Sequence, residues 1–317
     1  MIAVAFHTAL NLKPPTMSTP VAVVLPTHYE MVAPNLPPEI IEYILDTLFE
    51  DTKSLLSCSV VSTNWVHRCR HHLFARLKLY SLSDVHLWFG VGLGPSSHHV
   101  RSLYLSQDEF KWITPESLAG IPNNFTSFHN VESLSLTGLD LTLFDEHSLT
   151  RFFGHFSDHL TSLSIEGLTV HPDALHFLLC MFPKLDHLKL DHLTTGKPTV
   201  PLRIPIITPM FRGKLSLSNI KSNGTSMVAF LSNLPIAFED VCVENCRFET
   251  PKPLKELFVA CRETMRKVKV TKIFFGEFHL RDVSCKRHAS PRSHVFHTPQ
   301  TTFRKRHSST CPHARTW

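Results

Sequence analysis

A chain of 317 residues with 43% hydrophobic content is long enough for one elongated domain or two compact ones, and that content excludes a globally disordered protein. The formal net charge of +5 is concentrated from Arg281 onward, where eight Lys/Arg accompany a single acid, Asp282. The rest of the chain is therefore slightly acidic, which argues against a uniformly basic nucleic-acid-binding body.

The opening MIAVAFHTALNL is apolar but lacks a basic start and runs into KPPTMSTP rather than a cleavage site, so residues 1–33 are expected to form a flexible, proline-rich leader. No run of eighteen apolar residues suggests a membrane span. The eight cysteines form no tight framework, which points to reduced thiols in the cytosol, the nucleus or both.

Residues 34–79 carry the first folded signal. Pro37, Pro38 and Glu39 suit a first helical turn, and Ile40, Ile41, Ile44, Leu45 and Leu48 recur at three- and four-residue steps on one face. Asp51 is placed to cap a second helix carrying Leu55, Leu56, Cys58 and Val60, and Ser62 to cap a third after Val61, with Trp65, Cys69, Leu73 and Phe74. Three helices in so short a span bury little surface, and such a unit usually needs a neighbour or partner.

The order L-P-x-E-I-I-x-x-I-L-x-x-L, S-L-L-x-C-S-x-V-S-x-x-W and R-x-x-L-F resembles the F-box. The resemblance implies a helical hook that docks on a Skp-type adaptor and joins a cullin-RING ubiquitin ligase. Its adaptor-binding residues are then Leu36, Pro37, Pro38, Ile40, Ile41, Ile44, Leu45, Leu48, Leu55, Leu56, Val60, Val61, Trp65 and Phe74. The alternative is that these residues only form a local three-helix core, and for Ile44, Leu56, Val60 and Trp65 core packing is expected as part of the role.

From residue 80 to 280 the sequence repeats. Apolar-x-x-apolar-x-apolar-x-x-apolar occurs at Phe74-Leu77-Leu79-Leu82, Val131-Leu134-Leu136-Leu139, Leu160-Leu163-Ile165-Leu168, Leu185-Leu188-Leu190-Leu193, Phe238-Val241-Val243-Cys246 and Met265-Val268-Val270-Ile273. Weaker copies begin at Val100 and Arg212, so the steps run from 25 to 31 residues. A period-two strand followed by a helical segment such as Leu175, Phe177, Leu178, Leu179 and Phe182 predicts a parallel βα stack. This is similar to divergent leucine-rich repeats, and an F-box followed by such repeats resembles a class of F-box proteins that includes many from fungi. The fold expected is thus α+β to α/β, a three-helix F-box followed by a βα leucine-rich-repeat-like solenoid with a parallel sheet. Where the repeat consensus prefers Asn or Cys for its turn, only Cys246 conforms; Leu139, Leu168, Leu193, Ile220 and Ile273 do not.

Alternation points the leucines inward and the intervening residues onto an open face, expected to be concave: hydroxyls early, charges later. The later strands nominate His187, Lys189, Asp191, Asp240, Glu244, Lys267 and Lys269 as a substrate-binding set. A solvated sheet face is the competing reading of the same residues.

There is no G-x-S-x-G elbow, phosphate-binding glycine loop or H-E-x-x-H helix, so no enzymatic activity, catalytic residue or cofactor is expected. Gly90, Gly92 and Gly94 read as a loop, and the Cys/His residues of the tail, such as Cys285, His288, Cys311 and His313, lack zinc-site spacing, so no metal is expected either. Residues 281–317 are expected to be a disordered basic tail. The function expected is a substrate-recognition subunit of an SCF-type ligase, with a Skp-type adaptor and a protein substrate as partners. The alternative is a repeat scaffold whose basic tail associates with nucleic acid or an acidic partner. Nucleic acid is not favoured as a partner, and no membrane is expected.

Overall fold

Proline opens the first helix, as its fixed φ and missing amide suit the first turn: α1 spans Pro38–Thr47, with Glu39 in that turn. The computed structural model describes residues 36–90, 94–107, 113–114, 123–196, 210–221, 225–276, 278–280, 283–286 and 304–305. The expected leader, the loop around Gly92 and most of the expected tail, with His288, Cys311 and His313, lie outside the described residues. The chain divides into two compact units, one of Met1–Leu77 with Leu82–Val100 and one of Lys78–Ser81 with Arg101–Trp317.

In the first unit, α2 (Thr52–Val61) starts at Asp51, whose carboxylate accepts from the Ser54 amide at 3.1 Å and the Ser54 hydroxyl at 2.6 Å. Helix α3 (Thr63–Phe74) starts at Ser62, whose hydroxyl accepts from the Asn64 amide at 3.4 Å. Leu45, Leu55, Cys69 and Leu73 form the shared core, with Ile41, Leu48, Leu56, Cys58 and Trp65 packed against it. Asp46 of α1 fastens α3: the Arg68 Nε donates to Oδ1 at 2.6 Å and His72 Nε2 lies 2.7 Å from the same oxygen. The hydrogen bonds from Arg68 hold the Asp46 carboxyl down at about 2, against the opposing effect of burial. Helix α4 (Leu82–Gly90) adds Trp88, which packs edge-on to Phe74 at 5.5 Å and donates to the Ser97 hydroxyl at 3.1 Å.

The second unit is built on a nine-stranded sheet in the order β1-β2-β3-β4-β6-β8-β9-β11-β14. These are β1 (Arg76–Leu79), β2 (Ser102–Ser106), β3 (Ser133–Thr137), β4 (Ser162–Glu166), β6 (His187–Asp191), β8 (Phe211–Ser218), β9 (Ile236–Glu244), β11 (Lys267–Thr271) and β14 (Val283–Lys286). From β2 to β11 the strands run parallel in one register, so Leu103, Leu134, Leu163, Leu188, Leu215, Val241 and Val268 pair in succession. On β2 to β9 the inward pair of each strand, from Leu103 and Leu105 to Val241 and Val243, is no more than 2% exposed. Each such side chain contributes roughly 1.5–3 kcal/mol by leaving water.

Helices cover the buried side: α5 (Glu146–Phe153), α6 (Pro172–Cys180), α7 (Thr225–Ser232) and α8 (Lys252–Ala260). They bury Leu149 and Phe153, Leu175 and Leu178, Met227 and Leu231, and Leu254 and Leu257. The parallel α/β pattern expected from the repeat is therefore present, including the two weak copies at Val100 and Arg212.

In the large sheet β3, β4, β6, β8, β9 and β11 are each followed directly by a residue of positive φ: Gly138 (72°), Gly167 (63°), His192 (50°), Asn219 (53°), Asn245 (52°) and Lys272 (54°). The amides of the first five donate to the last carbonyl of the next strand, as from Gly138 to Glu166 at 2.9 Å and from Asn245 to Thr271 at 2.9 Å. The apolar residue that follows, from Leu139 to Ile273, is at most 1% exposed. At Leu139, Leu168, Ile220 and Cys246 its carbonyl accepts from the next repeat, as when the Thr194 amide donates to Leu168 at 2.9 Å and that of Arg247 to Ile220 at 2.7 Å. Backbone of adjacent repeats thus satisfies the turn, and the Asn or Cys missing at these positions is not needed.

Short strands continue this edge. β5 (Thr169–Val170) pairs with β7 (Thr194–Thr195), and β10 (Arg247–Phe248) pairs with β12 (Ile273–Phe275), which continues to β13 (Phe278–Leu280) and β15 (Arg304–Lys305). β14 lies antiparallel along β11 and supplies partners for backbone groups that an edge strand leaves unpaired.

Candidate interaction surfaces

In the first unit the three helices turn one set of apolar residues inward and leave another in solvent. On α1, Ile40, Tyr43 and Ile44 recur at helical spacing, Leu36 lies just before the helix, and all four are exposed, Tyr43 at 70%. Val60 and Val61, closing α2, are 85% and 67% exposed. The expected adaptor set therefore divides. Leu36, Pro37, Pro38, Ile40, Ile44, Val60 and Val61 are exposed; Ile41, Leu48, Leu56 and Trp65 are half-buried. Leu45, Leu55 and Phe74 are buried and available to no partner, which corrects their assignment: they hold the helices together. Two exposed aromatics, Tyr43 and Phe49, were missed. Tyr43 stands seven residues after Leu36 and three after Ile40, a spacing that marks the same face.

A second feature of this unit is a histidine cluster. His99 is 6% exposed, and its ring centroid lies 5.3 Å from His67, 5.8 Å from His71 and 3.8 Å from His98. Burial, reinforced by His98, His67, His71 and Arg70, pushes the His99 imidazole down to about 4, so at neutral pH it is uncharged. Among the described residues no group of three or more His, Cys, Asp or Glu is placed to hold a metal ion.

In the second unit the register puts all seven nominated residues on one face of the sheet. At the strand starts the order across strands is His187, Lys214, Asp240, Lys267; in the middle it is Lys189, Ser216, Cys242, Lys269; at the ends it is Asp191, Ser218, Glu244, Thr271. His187, Glu244, Lys267 and Lys269 are exposed, and Lys189 and Asp240 half-buried. Asp191 differs, being 8% exposed. Its Oδ1 accepts from Asn219 Nδ2 at 2.8 Å and lies 2.8 Å from His192 Nδ1, while Lys189 Nζ stands 3.7 Å from Oδ2. Asn245 Nδ2 in turn donates to Asn219 Oδ1.

This polar ladder ties the ends of three repeats together. Burial acts to raise the Asp191 carboxyl, but the bonds from Asn219 and His192, with Ser218 beside them, outweigh it and hold the group below its ordinary value. Asp191 is thus engaged in the scaffold and has little left to offer a substrate. Sequence reasoning missed Asn219 and Asn245, whose place directly after a strand was the available signal.

The two cysteines of β9 and its turn lie on opposite sides of the sheet. Cys242 is half-buried on the charged face, whereas Cys246 is fully buried, its thiol near the Glu244 carbonyl at 3.2 Å and pushed up to about 11 by burial. Among the described residues no helix is long and apolar enough to cross a membrane.

No protein-family model and no curated protein matches the chain. Among solved structures it is similar to one described as the crystal structure of the Rad7 and Elc1 complex in yeast, at 15% identity over 73% of this chain and 75% of that chain, with a TM-score of 0.24. A likeness of that size carries no argument about function. The chain has a mixed α/β fold with a large, mainly parallel sheet.

Proposed function

We propose that the chain is the substrate-recognition subunit of an SCF-type cullin-RING ubiquitin ligase. In this reading the helical unit docks on a Skp-type adaptor, the charged face of the sheet holds a protein substrate, and the chain carries out no chemistry itself. The observation that carries it is the division of the helical unit into a closed core and an exposed apolar row, Leu36, Ile40, Tyr43 and Ile44, with Val60 and Val61 at the end of α2. A core that is already satisfied does not need those residues, and apolar rows on helices are typical docking elements. Covering each contributes on the order of 1 kcal/mol or more.

Ubiquitin transfer then depends on proximity, because holding a substrate beside the ligase raises its effective concentration. Such a complex would work in the cytosol or nucleus.

The test is co-purification of a Skp-type adaptor with the full chain, repeated with Leu36→Ala and Pro37→Ala together. Capture that is lost in the double variant supports the reading. Failure to capture any such adaptor, with the chain folded, rejects it.

A further inference from the structure

We infer that the second unit binds an extended peptide bearing acidic residues, which lie across β8, β9 and β11 on Lys214, Lys267 and Lys269. This specifies the substrate class of the proposed receptor and rests on that reading for its biological role. The three lysines are exposed and share one face, with Lys214 and Lys267 in the same row on either side of Asp240. Lys189 is engaged with Asp191, but none of these three forms an ion pair among the described residues.

Strands lie about 4.8 Å apart, so the backbones at Lys214 and Lys267 are about 10 Å apart, while Lys267 and Lys269 are separated by about 6.6 Å along β11. A peptide in the extended polyproline II conformation has three residues per turn and advances about 3.1 Å per residue, so two acids three residues apart face the same way about 9.3 Å apart and span the first pair. Lysine, a point charge on a flexible stem, suits single carboxylates better than it suits a fixed bidentate geometry.

The same face argues against a continuous polyanion. Four residues further along the strands, roughly 13 Å away, the end row presents Glu166, Asp191 and Glu244. A nucleic acid backbone crossing both rows meets repulsion at the second. A peptide can place acids over the strand starts and neutral or basic residues over the ends. Lys214, absent from the set nominated by sequence, becomes the first residue of the site.

The experiment is fluorescence anisotropy on the full chain with a short labelled peptide carrying Glu-x-x-Glu, its Gln-x-x-Gln counterpart, and a DNA duplex. The Glu peptide is expected to bind about tenfold tighter than the Gln peptide at low salt, with the difference shrinking as salt is added. Lys214→Glu with Lys267→Glu is expected to remove about tenfold in affinity, and Asp240→Asn to increase it about two- to fivefold. Circular dichroism on each variant confirms that the sheet is intact.

Equal binding of both peptides, unchanged affinity in the variants, or tighter binding of the duplex overturns the inference. Adaptor capture is measured on the same proteins. Lost peptide selectivity with adaptor capture retained rejects this inference alone; failed adaptor capture with peptide selectivity intact rejects the ligase reading alone.

Discussion

Acidification should loosen the first unit through His99. Its imidazole is enclosed by His67 and His71 of α3, His98 beside it and the charge of Arg70, and it takes up a proton only near pH 4. In the unfolded chain the same ring protonates near pH 6.5. Between those values the unfolded state binds the extra proton, so stability is complete above about pH 6.5, falls as pH drops, and stops falling on this account below about pH 4. The slope is at most about 1.4 kcal/mol per pH unit. Partial hydration through the exposed His67 and His98 reduces the total to about 2 kcal/mol.

Urea unfolding followed by tryptophan fluorescence gives the assay, because Trp88 bonds Ser97 close to the cluster. His99→Gln, neutral throughout, should flatten the loss between pH 6.5 and 4. If wild type and variant decline in parallel over that window, the reasoning about His99 is wrong.

Gly213 sits at the register shift between β8 and β9 with φ 80°, and an added Cβ would collide with the Asp186 carbonyl oxygen. Gly213→Ala should cost the second unit about 2 kcal/mol or more in chemical denaturation. Asn219→Gly keeps the positive φ but removes the ladder, so it should cost about 1 kcal/mol, whereas Asn219→Val loses both and should cost at least twice that; equal costs would refute the separation of the two roles. Asp46→Asn should cost about 1 kcal/mol at neutral pH, because the pair with Arg68 is more than a third exposed and solvent weakens it. The Asp46 carboxyl titrates at about 2 when folded, so its contribution is present above about pH 4 and fades as pH falls towards 2, readable as convergence of wild type and variant melting temperatures.

The repeat was legible because register and burial are set by one alternation: a one-residue slip would have turned Leu134 and Leu136 outward, and the structure pairs them with Leu103 and Leu105 behind the sheet. The caps Asp51 and Ser62 were legible for a similarly local reason, a short side chain before a helical run. The turns were harder to read. A consensus residue was sought at Leu139 and Leu168, but the constraint lies one residue earlier, where Gly138 and Gly167 adopt positive φ and later repeats supply the hydrogen bonds. Helical periodicity also identified the apolar residues of α1 without saying which way each faces, since Leu45 and Ile44 are adjacent in sequence and only packing separates core from surface. The engagement of Asp191 depends on partners from three repeats and no local pattern announces it.

The most direct test of the account is calorimetric titration of a purified Skp-type adaptor into the full chain, with Ile40→Asp and Val60→Asp as exposed-face variants. Both positions are open to solvent, so the account predicts unchanged melting temperatures and a loss of affinity of at least about tenfold for each. Adaptor binding that survives both substitutions at full strength, or no binding by the folded wild-type chain, would contradict it.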